Sequence, residues 1–193
     1  EQVPVHERAH IDQFYLDMTG MDRFFGSLQF TDELAGTIKK ETGLPVTFGL
    51  SINKTVAKMC TRYARPTGSL AVPSPEVQPF LDPQTIRNIP YLGDVTYRFL
   101  RRLSIKLIKT LRAVPQKSMQ ELMGSKGVTL WRKANGIDPT PIIPYTQKKA
   151  ISMEKTFDKD TQDIENLRAL IISMVENVAF QLREAHMMCS TIA

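Results

Sequence analysis

The sequence predicts an α+β chain of several domains, made of a partial α/β piece, a small all-helical piece and the start of an α+β piece. Apolar patterns typical of strands and helices alternate in the first 65 residues, and that order is typical of a sheet layered with helices. Two clusters of proline, within residues 66–83 and 139–144, interrupt these patterns. Because proline clusters mark loops and linkers, we expect the three pieces to meet there.

The first piece is expected to contain two strands and two helices. The apolar run Ala9–Met18 predicts a buried strand, and Val46–Leu50 alternates as a second strand does. Apolar residues at steps of four predict a helix over Thr31–Thr42, with Gly43 as its stop. Asn53 is a favourable N-cap for the second helix.

The other two pieces have different elements. The second is expected to hold only short helices, at residues 95–103, 108–113, 118–123 and 128–134. The third is expected to have a strand over Lys149–Phe157, a long amphipathic helix with apolar residues from Leu167 to Leu182, and a strand over Met187–Ala193.

Composition argues against several classes of protein. No apolar run reaches the ~18 residues of a membrane span, and the N-terminus lacks the basic and apolar regions of a signal peptide. Cys60 and Cys189 have no metal-ligand spacing, and so few cysteines favour a reducing cytoplasm over a disulfide scaffold. The net charge is only +5, so its distribution along the chain says more than its size.

Asp12 is the first candidate for chemistry, because it lies in an apolar run that predicts a strand. A buried carboxylate is costly unless it is paired or binds a metal. An aspartate at a strand end that bonds the backbone or an arginine is the simpler interpretation. Asp12 and Gln13 are adjacent and point to opposite faces of a regular strand, so they serve one site only at a strand end or bulge.

A cationic helix follows the second strand. Lys54, Lys58, Arg62 and Arg65 recur after Asn53, and the N-terminus of such a helix can hold an anion. A solvated basic helix face accounts for the same pattern.

The middle piece carries a pattern typical of nucleic-acid binding. Ile89–Asp94 has the hydrophobic-x-hydrophobic-Gly pattern of a helix-hairpin-helix, whose turn points backbone N–H groups at a phosphate. From Arg98 to Lys117 there are seven basic residues and no acidic one. Solvated faces usually mix both signs, so this stretch favours phosphate contact. Lys148 and Lys149 begin the predicted third-piece strand, which either follows a phosphate backbone or is an ordinary half-buried strand.

Six segments of the chain, taken in order, form a further pattern. They are Ile11–Asp17, Gly49–Lys58, Arg65–Gly68, Ile89–Leu103, Trp131–Asp138 and Lys149–Phe157. In this order they resemble Y-family DNA polymerases of the bacterial polymerase IV group. The first resembles the palm motif Ser-Ile-Asp-Glu-Ala-Tyr-Leu-Asp, the second Gly-(Ile/Val)-x-x-Asn-Lys-x-x-Ala-Lys, and the third Lys-Pro-Asn-Gly. The last three resemble the thumb hairpin, the thumb exit and the opening strand of the little finger.

The resemblance implies a palm at 1–68, a thumb at 69–138, a linker at 139–148 and a little finger at 149–193. It implies primer-template DNA and an incoming dNTP as partners, and two Mg²⁺ ions as cofactors, with Asp12 as a metal ligand and Arg65 on the triphosphate. A sliding clamp would bind through a segment outside this chain. The residues expected to contact DNA are Gly93, Arg98, Arg101, Arg102, Lys106, Lys148 and Lys149.

Three departures from the family pattern bear on activity. Gln13 stands at the position of the family's second catalytic carboxylate, a glutamate, and Tyr91 replaces the first glycine of the hairpin. The family's other catalytic aspartate lies in a motif that would precede Glu1. We therefore expect a translesion polymerase whose 193-residue form is inactive alone. A non-catalytic Y-family-like accessory subunit is the alternative, and an unrelated helix-hairpin-helix module is a third possibility.

Overall fold

A computed structural model describes residues 5–21, 26–66, 68–144 and 150–192 of the chain. The chain divides into two compact units, Glu1–Tyr145 and Thr146–Ala193. Its described part is α+β, as predicted, with seven α-helices and two small sheets. No helix in these four ranges is both long and apolar enough to cross a membrane.

The first apolar run forms a hairpin rather than the predicted single strand. Strand β1 (His6–His10) pairs antiparallel with β2 (Gln13–Leu16). The chain reverses at Ile11 and Asp12, whose side chains are both exposed. The prediction of one strand over Ala9–Met18 is therefore wrong. Aspartate is favoured in turns because its side chain bonds nearby backbone, and the apolar residues around it masked that signal.

A helix and then a β-α-β unit follow, and the alternating patterns predicted this first helix and the first strand and helix of the unit. Helix α1 (Ser27–Thr42) ends at Gly43, which has φ 75° and donates its N–H to the Lys39 carbonyl. Strand β3 (Thr47–Ser51) leads into helix α2 (Lys54–Tyr63), and β4 (Gly68–Val72) returns parallel to β3. Strand β4 was not predicted, because its short sequence lies between prolines.

Helices α3 to α6 make up the rest of the first unit. They are α3 (Val77–Leu81), α4 (Asp94–Arg102), α5 (Ile108–Ala113) and α6 (Gln116–Ala134). Helix α6 contains a non-helical residue, Gly124, at φ 61° and ψ −146°. The two helices predicted over 118–123 and 128–134 lie on either side of this kink.

One hydrophobic core joins the β-α-β unit to these helices. Val56 and Cys60 of α2 are fully buried in the same cluster as Leu81, Ile86 and Leu100. Burial of large apolar side chains is the main favourable term in folding, so this shared cluster fixes the position of α2 relative to the helices.

The second unit contains helix α7 (Ile164–Glu184), capped by Asp163, whose carboxylate accepts from the Asn166 N–H. Neither 150–157 nor 187–192 forms a strand, so the strands predicted over Lys149–Phe157 and Met187–Ala193 are wrong for these described residues. An isolated strand has no neighbour to satisfy its backbone N–H and C=O groups. The alternation of these segments was therefore not sufficient to make them strands.

Gly49 is expected to be essential for the packing of α2 on β3. A Cβ at this residue would lie 2.3 Å from the Ala57 carbonyl oxygen and 2.4 Å from the Thr61 nitrogen. These are backbone atoms that cannot move aside alone. We therefore expect Gly49→Ala to lower the free energy of unfolding by ~1–3 kcal/mol, measured by urea denaturation of the full chain.

Gly36→Ala is the matched control, because Gly36 lies within α1 and a Cβ there meets nothing within 4 Å. It should stabilise the protein by up to ~1 kcal/mol, since alanine is the better helix former. Equal urea midpoints for the two variants would contradict the packing described for α2.

Candidate active site and nucleic-acid interface

The β1–β2 hairpin presents the two candidate catalytic residues in different surroundings. Asp12 lies in the turn, and its exposed carboxylate has no hydrogen bond or ion pair with any described residue. Gln13 begins β2 and is half-buried, and its Oε1 accepts a hydrogen bond of 2.8 Å from Lys58 Nζ. The structure therefore brings Gln13, but not Asp12, into contact with the cationic helix.

Lys54 is the first cation of helix α2, and its ammonium is committed to the protein itself. It donates to both carboxylate oxygens of Glu7, at 2.8 and 2.6 Å, and to the Pro141 carbonyl at 3.0 Å. It also lies 4.9 Å from the Tyr15 ring centroid. Burial acts to raise the pKa of Glu7, but hydrogen bonds from the Ile143 N–H and Lys54 outweigh it and lower that pKa.

Lys58, one helical turn further on, has neutral partners within the described part of the chain. Its ammonium lies 2.8 Å from Gln13 Oε1, 3.3 Å from the Tyr91 hydroxyl and 4.5 Å from the Tyr91 ring centroid. Lys133 approaches the same ring at 5.3 Å. Tyr91 adopts φ 65°, a conformation that a non-glycine residue uncommonly takes. Gln13 and Tyr91 therefore both contact the ammonium of Lys58.

Asp138 links the segment that follows α6 to the N-terminus of α2 by hydrogen bonds. Its Oδ2 accepts from Thr55 Oγ1 at 2.6 Å, and its Oδ1 accepts from the backbone and hydroxyl of Thr140 at 3.1 and 2.6 Å. Burial acts to raise the pKa of Asp138, and these hydrogen bonds, with the charge of Lys133, bring it below its usual range. A carboxylate used in this way is structural.

Glu7, Lys54, Tyr91 and Asp138 are among the residues that line a cleft of about 230 Å³, whereas Asp12, Gln13 and Lys58 are not. Sequence patterns missed the roles of Glu7 and Asp138, because their partners lie 47 and 83 residues away along the chain. The lining residues are Glu7, Tyr15, Lys54, Thr55, Pro90, Tyr91, Lys133, Asp138 and Thr140.

The described residues do not fit the two Mg²⁺ ions that the family resemblance implies. Magnesium prefers carboxylate oxygens, yet no group of three or more His, Cys, Asp or Glu in this part of the chain could hold a metal ion. The oxygen of Gln13 already faces an ammonium. Like unit charges ~4 Å apart near a protein surface repel by ~4 kcal/mol, and a divalent ion doubles that cost.

Arg65, the residue expected on the triphosphate, lies two residues beyond the C-terminal end of α2 and is exposed. Seven residues separate it from Lys58, which corresponds to about 10 Å along a helix axis. The described structure records no contact between Arg65 and either residue of the hairpin turn. Arg65 is therefore exposed, but it does not line the cleft.

Gly93 immediately precedes α4 and has ordinary extended angles, φ −69° and ψ 158°. A Cβ there would meet nothing within 4 Å. In the turn before α4, it is Tyr91 rather than Gly93 that has a positive φ. Gly93 is thus not required for backbone conformation, and its remaining candidate role is to leave the adjacent N–H groups open.

The basic stretch after Gly93 forms an exposed surface. Arg98, Arg101 and Arg102 of α4 and Lys106 after it are all exposed. Arg112 differs, because its Nη2 donates to Asp82 Oδ2 at 2.6 Å. Lys148 and Lys149 lie outside the described residues.

Two models of one protein family match this chain. The impB/mucB/samB family model matches residues 1–62, and the model of that family's C-terminal domain matches residues 148–193. Together they match more than half of the chain and reach both compact units.

Relatives extend the similarity across the middle of the chain. DNA polymerase IV of Halorhodospira halophila is 30% identical over 187 residues, covering 96% of this chain and 52% of the relative. DNA polymerase IV of Clostridium kluyveri is 32% identical over 184 residues, covering 94% of this chain and 46% of the relative. The chain therefore spans about half the length of these relatives.

The fold agrees with this similarity. A solved Y-family DNA polymerase chimera superposes with a TM-score of 0.68 and 26% identity, over 76% of this chain and 43% of its own. Since the family models, the polymerase IV relatives and the fold all agree, this chain belongs to the impB/mucB/samB family of Y-family DNA polymerases.

Proposed function

We propose that this chain is part of a translesion DNA polymerase, which copies damaged template by nucleotidyl transfer. The observation that carries the proposal is the exposed basic surface on and after α4, beside the open turn at Gly93, in a chain whose relatives are named DNA polymerase IV. Its partners would be primer-template DNA and an incoming dNTP. A sliding clamp would bind elsewhere on the whole protein, and the cytoplasm is its proposed location.

The domain roles follow the family pattern. Residues 1–68 would act as palm, 69–138 as thumb, 139–148 as linker and 149–193 as little finger. The thumb would bind phosphates through the N–H groups at the start of α4 and through its cations. Neutralised phosphates release counterions, so this binding is independent of base sequence. Arg65 would contact the triphosphate from its exposed position.

A non-catalytic accessory subunit is the second candidate. The contact between Gln13 Oε1 and Lys58 favours it, because an amide already bonded to an ammonium is a poor ligand for Mg²⁺. Such a subunit would keep the DNA-binding surface and lose the chemistry. DNA binding alone therefore does not separate the two candidates, whereas primer extension does.

Removing the paired cations that end α4 should weaken DNA binding. Arg101→Ala/Arg102→Ala removes two exposed charges from its last turn. For the unaltered chain we expect a slope of log affinity against log salt of roughly −3 to −5, at about −0.9 per phosphate contact. The variant's slope should be shallower by about 1 to 2, measured by fluorescence anisotropy with two unrelated duplexes.

Lys39→Ala/Lys40→Ala is the matched control, since these lysines also form an exposed pair in the last turn of a helix, α1. This control should leave the slope unchanged. An equal change of this slope in both double variants, or a strong preference for one duplex, would contradict the proposed surface.

Gly93→Val is expected to weaken DNA binding more than Arg62→Ala does. Valine fits extended angles such as φ −69°, and its Cβ meets no protein atom, so the variant should fold normally. The side chain would instead hold a phosphate away from the backbone N–H groups. Anisotropy titrations measure both losses, with thermal unfolding as the check on folding. Equal affinities for Gly93→Val and the unaltered chain would exclude the open turn as a phosphate site.

The 193-residue chain alone should extend no primer in Mg²⁺, and Gln13→Glu should not restore extension. Two-metal phosphoryl transfer requires several carboxylates converging on ions about 3.5–4 Å apart, and Asp12 is the single exposed carboxylate of the hairpin turn. A gel-based extension assay measures the product. Primer extension by the 193-residue chain alone would contradict the placement of the active site at residues 12 and 13.

A longer form that includes the coding sequence upstream of Glu1 separates the two candidate functions. Extension by this form supports the polymerase. A folded, DNA-binding long form that extends no primer with either glutamine or glutamate at residue 13 supports the accessory subunit.

A further inference from the structure

Tyr91 places an aromatic ring on the surface of the turn before α4. Its side chain is 71% exposed, so burial in a core does not account for the ring. Its φ of 65° is a conformation that costs free energy for any residue with a Cβ. An unfavourable backbone conformation that is kept in a folded structure is a reason to look for a function at that residue.

Two lysine ammonium groups lie beside this ring. The Nζ atoms of Lys58 and Lys133 are 4.5 and 5.3 Å from the ring centroid, and Lys58 Nζ is also 3.3 Å from the Tyr91 hydroxyl. Among the exposed phenylalanine and tyrosine side chains of the described ranges, Tyr91 is the one with recorded contacts to cations. The ring is therefore held at its hydroxyl end while most of its surface is open, so a planar ligand that binds it orders little.

We propose that Tyr91 is a stacking platform for an unpaired base of single-stranded DNA, with Lys133 receiving a phosphate of the same strand. The inference rests on the proposed function, because it takes the chain to bind DNA. It adds a contact with a base to the phosphate contacts proposed around Gly93, two residues later in the same turn. Every base presents an aromatic face, so a contact of this kind tolerates any sequence.

The surroundings of the ring favour a single strand over a duplex or a free nucleotide. Bases inside a duplex are stacked on one another, and a protein reaches them only in single-stranded or flipped-out form. Small ligands are held by enclosure in a pocket that buries most of their surface, whereas Tyr91 stands on an open turn. A strand that passes over this turn can place one base on the ring and its phosphates on nearby cations.

The charges of the adjoining cleft are compatible with a phosphate. Its two carboxylates are already engaged, since Glu7 pairs with Lys54 and Asp138 accepts hydrogen bonds from the hydroxyls of Thr55 and Thr140. Lys133 lines the same cleft and interacts with Asp138 by charge, which keeps its ammonium close to the ring. The phosphate of a stacked nucleotide would therefore meet a cation there.

Two short oligonucleotides of equal charge test the proposal: oligo(dT) of roughly eight nucleotides and an abasic strand of the same length, which has the phosphates without the bases. Fluorescence anisotropy with the full 193-residue chain gives both dissociation constants. We expect the unaltered chain to bind oligo(dT) at least about fivefold more tightly, which corresponds to the lower limit for one stacked base. Tyr91→Leu should abolish this difference, whereas Tyr91→Phe, which keeps the ring, should retain it.

Tyr63→Leu is the matched control, because Tyr63 is 72% exposed and its recorded ring contact is with Phe80, at 6.1 Å between centroids. It should leave the preference for oligo(dT) unchanged. Thermal unfolding checks that each variant folds. If Tyr91→Leu unfolds early, Tyr91→Gly takes its place, since glycine adopts a positive φ readily and has no ring.

The outcomes separate this inference from the proposed function. Equal affinity of the unaltered chain for the two strands would overturn the stacking contact and leave phosphate binding intact, whereas binding of neither strand would overturn both. A loss of the preference in Tyr63→Leu as large as in Tyr91→Leu would also overturn the proposal. Complete displacement of oligo(dT) by dTTP would identify a free nucleotide, rather than a strand, as the ligand.

Discussion

Within the first unit, the start of α2 depends on the side-chain amide of Asn53, in addition to the shared core. Its Oδ1 accepts from the Val56 N–H and so begins helix α2, while its Nδ2 donates to the Gly136 carbonyl at 2.7 Å. One amide therefore satisfies a free helix N–H and also joins the β-α-β unit to the end of α6. Both ends of the amide are bonded, so the direction of α2 and the position of the cleft are fixed together.

The direction of α2 determines what each of its cations can do. Lys54 and Lys58 are four residues apart and lie on one face of the helix, which is turned toward the β1–β2 hairpin. Lys54 contacts the carboxylate of Glu7 and becomes part of the scaffold, whereas the described partners of Lys58 are neutral groups. Arg65 lies beyond the helix and stays exposed. A basic run that looks uniform in sequence thus has three different roles in the structure.

Sequence patterns predicted the elements whose signal is local. The Asn53 cap, the Gly43 stop and helix α5 at residues 108–113 were confirmed, because capping chemistry and apolar spacing act within a few residues. The hairpin turn at Asp12 was missed, since an apolar run hid a two-residue reversal. Strand β4 was missed because its short sequence lies between prolines and its partner, β3, lies about twenty residues earlier.

Sequence patterns nominated candidate site residues but indicated none of the contacts between them. Asp12, Gln13 and the basic residues after Gly93 were identified from motif order and charge pattern. No local pattern indicates that Lys58 bonds Gln13, 45 residues away, or that Tyr91 joins them from a further 33 residues on. Such contacts arise from packing of the shared core around α2, which sequence spacing does not encode.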